Sequence, residues 1–219
     1  MKTPLIVING ASGTGKTTAI NYLVENWHYD QKPFVSIHPI SHLKQYLEDV
    51  YNCPDLDTKE GKEFKALDSP STMQQIMVRL WEVFVQENLD PFLSQRLMAR
   101  ALADIPVKVP LVFNAIRNLG EVEFLDHLAH RRSMQVHFLR LTTPTSDSDG
   151  ETSDVLEASI ANRLFQLSGP ERSANLFNPL DNLEVFHALL QAQFMYWGLR
   201  TQEHSKFMTK IDYRVYGEN

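Results

Sequence analysis

One cysteine, Cys53, is all that the 219 residues contain. It has no partner for an intramolecular disulfide, it excludes a zinc site built from several cysteines, and it is compatible with a reducing compartment. Long apolar runs are missing as well. None reaches the length that crosses a bilayer, so no membrane partner is expected. The opening Met1-Lys2-Thr3-Pro4 leads into an apolar stretch too short for a secretion-signal core, and a cytoplasmic protein is expected. Basic charge is in deficit. The 21 Lys and Arg against 27 Asp and Glu give a formal net charge of -6. That disfavours a strongly basic nucleic-acid binder while leaving room for a local basic cleft. There is no internal repeat, and no low-complexity segment beyond the polar patch from Thr142 to Thr152.

What remains is ordinary globular material, 43% hydrophobic and 22% charged. The length suits one α/β domain spanning 1–219. Leu5-Ile6-Val7-Ile8 is a continuous apolar run, as in strands covered by helices on both faces. A helix follows from Lys16, with Ile20, Leu23, Val24 and Trp27 on one face. Further strands are expected at Phe34–Ile37, Leu111–Phe113, Gln135–Leu141 and Asn175–Phe177. Helices are expected around Leu43–Val50, from the capping pair Ser71 and Gln74 through Met73, Ile76, Met77, Leu80 and Phe84, and over Phe92–Ala103, Glu121–His130, Asp154–Leu167 and Leu183–Trp197. Strands alternating with helices imply a parallel sheet with right-handed crossovers.

The break after the first strand carries the chemistry. Gly10-Ala11-Ser12-Gly13-Thr14-Gly15-Lys16-Thr17 fits G-x-x-x-x-G-K-[ST], between an expected buried strand and an expected helix. Glycines let backbone amides converge on phosphate oxygens, and the helix N-terminus adds its positive dipole end. Lys16 would reach the β- and γ-phosphates of ATP, and the Thr17 hydroxyl would ligate Mg²⁺. Thr18 closes the set of expected nucleotide-binding residues.

Other phosphate-binding classes fit less well. Dinucleotide binding wants G-x-G-x-x-G and a later acidic residue. The GTPase-like fragments Asp147–Gly150 and Thr209–Asp212 follow no buried strand directly, and no acidic residue ends a hydrophobic strand as in motor ATPases: Phe113 is followed by Asn114. Phosphoryl transfer needs cations around the moving group. Arg117 lies just past the third strand, where open sheets place ligands, or else pairs with Glu121 one helical turn on. Arg163, on the helix after the polar patch, is a second catalytic candidate and Arg172 a weaker one. Arg79, Arg96 and Arg100 offer charge for an acceptor phosphate. His127 and His130 share a helix face without a Glu to complete a zinc motif. Trp81, Phe84 and Trp197 read as core.

The P-loop, Gly61-Lys62-Glu63-Phe64, Arg79-Leu80-Trp81, Asp90-Pro91-Phe92, Val112 to Glu121, and Asn178 before a Leu183-Glu184 helix recur in this order. Together they resemble the bacteriophage deoxynucleoside monophosphate kinases, relatives of the dephospho-coenzyme A kinases, over most of residues 1–190. The resemblance implies a three-layer P-loop fold with a five-stranded parallel sheet, ATP as donor, a nucleotide acceptor, host cytoplasm as the location, and a short helical lid. The lid would fall in 142–172 and acceptor binding in 41–105. One departure stands out. Related kinases tend to carry an acidic residue two or three positions before the arginine matching Arg117, where this chain has Asn114 and Ala115. Metal binding would then rest on Thr17 and the nucleotide phosphates. Two alternatives stay open on sequence alone. One is a kinase acting on a hydroxymethylated pyrimidine (5-hydroxymethyluracil) in DNA, which the negative net charge disfavours. The other is a non-catalytic nucleotide-binding switch.

Overall fold

Leu5, Ile6, Val7 and Ile8 are completely buried, which a strand achieves only when both of its faces are covered. The computed structural model of the chain describes residues 2–201 apart from 12, 57, 66–68, 84–89, 91, 115 and 145–150, and the backbone alone of 81, 151–155 and 201. In chain order it contains β1 (Thr3–Asn9), α1 (Lys16–Asn26), β2 (Trp27–Tyr29), β3 (Lys32–Pro33), β4 (Val35–Ile37), α2 (Ser41–Tyr51), α3 (Lys59–Glu63), α4 (Met73–Trp81) and α5 (Leu93–Ala101). Then follow β5 (Leu111–Asn114), α6 (Leu119–Arg131), β6 (Met134–Thr142), α7 (Glu151–Ser168), β7 (Ser173–Phe177), α8 (Leu183–Tyr196) and β8 (Arg200–Thr201). Ser12, Phe84, Ala115, Asp147–Gly150 and Thr209–Asp212 lie outside the described residues.

The five-stranded sheet has the order β4-β5-β1-β6-β7. β1 lies parallel to β5 on one side and to β6 on the other, and β6 is parallel to β7. The connections reverse direction at β1, and in such sheets the crevice beyond the carboxyl end of that strand receives ligands. Side chains alternate between the faces. On one face, Ile6, Ile8, Val112, Leu139 and Leu141 share a core with Ala19, Ile20 and Leu23 of α1 and Phe186, Leu190 and Phe194 of α8. On the other, α6 and α7 pack against β6 and each other. The result is the three-layer α/β fold expected of a P-loop protein.

Two expectations need correction. Trp27 does not end α1 but starts β2, fully buried and edge-on to Phe194 with ring centroids 5.4 Å apart. There it joins a three-stranded sheet of order β3-β2-β8. The capping box lies one residue late: Thr72 Oγ1 accepts from the Gln75 N–H at 3.3 Å, and Gln75 Oε1 accepts from the Thr72 N–H at 2.9 Å. The expected lid, 142–172, contains all of α7. Ile160, Ala161 and Leu164 are buried, and lifting them off would expose their apolar surface to water.

By its contacts the chain divides into two compact units, residues 1–36 with 106–219, and residues 37–105. The second has its own core of Leu47, Leu56, Met73 and Met77, with Leu43, Phe64, Ile76 and Leu80 against it. A methyl group at Gly61 would collide with the Asp55 carbonyl oxygen, so only glycine fits where α3 crosses that turn.

Candidate phosphate-binding site

Gly10 has φ +146° and Gly15 φ +89°, conformations that side chains resist. The reason is close approach. A Cβ at Gly10 would strike the Leu141 carbonyl oxygen of β6, and one at Gly15 would strike the Asn178 side-chain amide. Asn178, buried just after β7, anchors the loop from behind. Its Nδ2 donates to the Thr14 carbonyl at 3.1 Å, its N–H donates to the Thr142 carbonyl at 2.8 Å, and its Oδ1 accepts from the Leu180 N–H at 3.0 Å. Thr14 is completely buried, and its hydroxyl donates to the Ala11 carbonyl at 2.9 Å.

The loop delivers the chain to α1, whose N-cap is Gly15. No side chain caps that end and no acidic residue lies in the first turn. Its amides and positive dipole end are left for an external anion. Lys16 Nζ donates to the Gly10 carbonyl at 2.7 Å and to the Ala11 carbonyl at 2.5 Å. Burial lowers the pKa of this ammonium from the usual lysine value; the Glu157 carboxylate works against that shift and the Arg117 guanidinium adds to it. Thr17 is exposed and Thr18 half-buried in the same helical turn.

Arg117 is exposed, and Glu121, which the spacing offers as an alternative partner, holds its backbone. Glu121 is fully buried, and its Oε2 accepts from the Arg117 backbone N–H at 2.7 Å. Asn118 Oδ1 in turn accepts from the Glu121 N–H at 2.9 Å. The carboxylate thus fixes the backbone that carries the arginine.

Sequence reasoning missed Arg140. On β6 it lies opposite Asn9, the residue before the loop, and its Nη2 is 3.9 Å from Glu157 Oε1. The signal was available: a basic residue near the carboxyl end of a buried strand. One carboxylate, Glu157, therefore acts on both Arg140 and Lys16, and Lys16 also feels the charge of Arg117.

Arg163 is placed elsewhere. It is exposed, its Nη1 donates to Gln166 Oε1 at 3.2 Å, and it lines a groove with Val122, Glu123 and Asp126 of α6. Arg172 ends a 3-10 turn at Pro170–Arg172, before β7 begins, and with Lys2 and Met134 lines a cavity at the amino end of the strands. Neither belongs to the loop's carboxyl-end crevice. In the second unit Arg79 pairs with Glu82 at 3.4 Å and Arg96 with Asp90 at 3.1 Å, all on exposed positions for the arginines. His127 Nδ1 lies 2.8 Å from the Glu123 carbonyl oxygen. Among the described residues no group of three or more His, Cys, Asp and Glu is placed to hold a metal ion, and no helix is long and apolar enough to cross a membrane.

A magnesium ion held with a nucleotide needs few protein ligands. The donor set suits it: Thr17 offers an exposed hydroxyl, and Asn114, paired in register with Ile8, has a buried Oδ1 without a hydrogen-bond partner among the described residues.

No family model and no curated protein matches the chain. Solved structures do. The tunicamycin resistance protein of Deinococcus radiodurans is 18% identical, over 91% of this chain and 98% of that one, with a TM-score of 0.37. A candidate kinase from Chloroflexus aurantiacus is 11% identical, over 90% and 99%, with a TM-score of 0.47. A sugar kinase from Janibacter sp. HTCC2649 is 16% identical, over 90% and 95%, with a TM-score of 0.32.

Proposed function

We propose that the chain is a P-loop phosphotransferase that moves the γ-phosphoryl group of ATP to a deoxynucleoside monophosphate. The observation that carries this reading is the loop itself. Lys16 is folded onto the Gly10 and Ala11 carbonyls beside an uncapped helix start, with Arg117 close enough for its charge to be felt. Such a site binds polyphosphate and stabilises charge that spreads over the moving group's oxygens in the transition state. Thr17 and Asn114 would help the nucleotide hold magnesium, which would supply further charge neutralisation.

In this reading Lys16 leaves its two carbonyls to hold phosphate oxygens, and Arg117 meets the transferring group. The loop amides and the start of α1 orient the polyphosphate chain. The exposed Phe177 and Leu180 flank Asn178 and give a nucleoside base an apolar surface. Binding of the acceptor is assigned to the unit formed by residues 37–105.

The test is an ATP-consumption screen against the deoxynucleoside monophosphates and against DNA carrying a hydroxymethylated pyrimidine, with Lys16→Ala as control. Turnover is expected with at least one free monophosphate, and a loss on the order of 10²–10³ in the folded variant. Activity confined to the modified DNA, with steep salt dependence, would overturn the acceptor. Unchanged turnover in Lys16→Ala would overturn the site.

A further inference from the structure

Arg140 carries donors that its surroundings among the described residues do not satisfy. It stands on β6 between Leu139 and Leu141, which are buried in the core shared with α1 and α8. Its side chain therefore leaves the opposite face of the sheet, toward α7. There its Nη2 is 3.9 Å from Glu157 Oε1, with both side chains partly buried. A charge-assisted hydrogen bond is shorter, about 2.7–2.9 Å. The carboxylate offsets the charge without taking up a guanidinium donor. The Nε is buried and has no hydrogen-bond partner among the described residues. A guanidinium has donors only, and leaving them unmet away from water is costly. An anion with several oxygens, such as a phosphate, matches its planar fork.

The place points to the same ligand. Arg140 pairs in register with Asn9, the residue before the phosphate-binding loop. The next carbonyl along β6, that of Leu141, lies where a Cβ on Gly10 would have to go, so the end of β6 touches the loop. Glu157 reaches both sides, beside Arg140 by contact and felt by Lys16 through its charge. A carboxylate held between two cations at a loop shaped for polyphosphate is a rival of that polyphosphate, since both anions are drawn to the same cations. We propose that Arg140 is a further polyphosphate-binding residue and that Glu157 competes with the phosphate oxygens of ATP for it. Resting on the reading of the loop as an ATP site, this assignment adds a cation from β6 and a carboxylate from α7 that lowers the site's affinity. It also gives the ion pair a direction: phosphate binding breaks it.

Titration calorimetry of the full chain with magnesium ATP, below the alkaline limb of its rate profile, tests it with Arg140→Gln, Arg140→Lys and Glu157→Gln. The two sides of the pair should move affinity in opposite directions. Arg140→Gln should weaken binding on the order of 10- to 100-fold, as for lost hydrogen bonds to a charged group, with Arg140→Lys recovering part of the loss. Glu157→Gln should tighten binding about threefold or more, because the competing carboxylate is gone. Thermal unfolding beside each titration identifies a variant that has lost its fold, and Arg140→Lys, which keeps the charge beside Glu157, stands in if Arg140→Gln does not fold. An ion pair that only fastens α7 to the sheet gives the same sign from either side. Weaker binding in both the Arg140 and Glu157 variants, or wild-type affinity in both, overturns the proposal. So does tighter binding in Glu157→Gln with wild-type affinity in Arg140→Gln, which confines the competition to Lys16. These outcomes leave the loop assignment standing. A wild type that binds no ATP, or a Lys16→Ala variant that binds it as well as the wild type, removes the loop reading and the proposal with it.

Discussion

The Asn178 side-chain amide donates to the Thr14 carbonyl at 3.1 Å, joining the phosphate-binding loop to a residue 164 positions away. The same amide stands where a Cβ at Gly15 would have to go. Asn178→Ala removes the donor and leaves a buried carbonyl unsatisfied, which costs about 1–3 kcal/mol. Gly15→Ala drives a methyl group into the amide at a left-handed φ. Both variants should lose ATP affinity together with stability, by titration calorimetry and urea unfolding. Wild-type affinity in a destabilised Asn178→Ala would show that the contact supports the fold and not the loop.

Arg117 and Arg163 should separate by function. Replacing Arg117 with Ala should lower kcat with little change in thermal stability, because in the proposed mechanism its charge acts on a transition state and not on the core. Arg117→Lys should recover only part of the loss, since lysine keeps the charge and loses the planar fork. Arg163→Ala should leave kcat within about twofold, as an exposed group bonded to Gln166 contributes little anywhere. Steady-state kinetics at saturating ATP decide it. Equal losses in Arg117→Ala and Arg163→Ala would return Arg163 to the site.

How much of the fold and site is readable from sequence follows from the physics of each signal. The loop is legible because its backbone path demands glycines and a lysine at fixed spacing, and β1 because burial on both faces demands a continuous apolar run. Asn178 is visible as a resemblance, but its partner is not, since nothing local marks a hydrogen bond to Thr14. The spacing of Arg117 and Glu121 allows either a phosphate-facing arginine or a surface ion pair; it does not reveal that Glu121 is buried and accepts from backbone. Ser71 with Gln74 and Thr72 with Gln75 satisfy the same capping pattern, so spacing does not choose between them. Strands of two or three residues such as β2, β3 and β8 are too short to show a period.

Two neighbours shift Lys16 in opposite directions, which gives a prediction of sign. Glu157 raises its pKa and Arg117 lowers it, against the larger lowering by burial. If protonated Lys16 is the form that binds phosphate, the alkaline limb of kcat/KM follows it in the free enzyme. Glu157→Gln should move that limb to lower pH, and Arg117→Ala should move it to higher pH even as the rate falls. Limbs that shift the same way in both variants, or not at all, would detach the profile from Lys16.

His137 gives the last prediction. It is buried on β6, its ring lies 4.9 Å from that of Trp197, and its Nδ1 has no hydrogen-bond partner among the described residues. Burial pushes its pKa down to about 4, with the positive charge of Arg172 acting in the same direction. The unfolded chain takes up the proton near pH ~6.5. Between these two values the unfolded state holds the proton and the folded state does not, so stability is lost as pH falls from about 6.5 to about 4. Below that range both states are protonated and this loss stops growing. The total is on the order of 3 kcal/mol, because every pH unit separating the two values is worth about 1.4 kcal/mol. His137→Leu removes the titration and keeps an apolar neighbour for Trp197. Urea unfolding of both proteins from pH ~7.5 to ~4.5 should therefore show the wild type losing stability faster than the variant. Parallel curves would mean that His137 is already protonated, or solvated, in the folded chain.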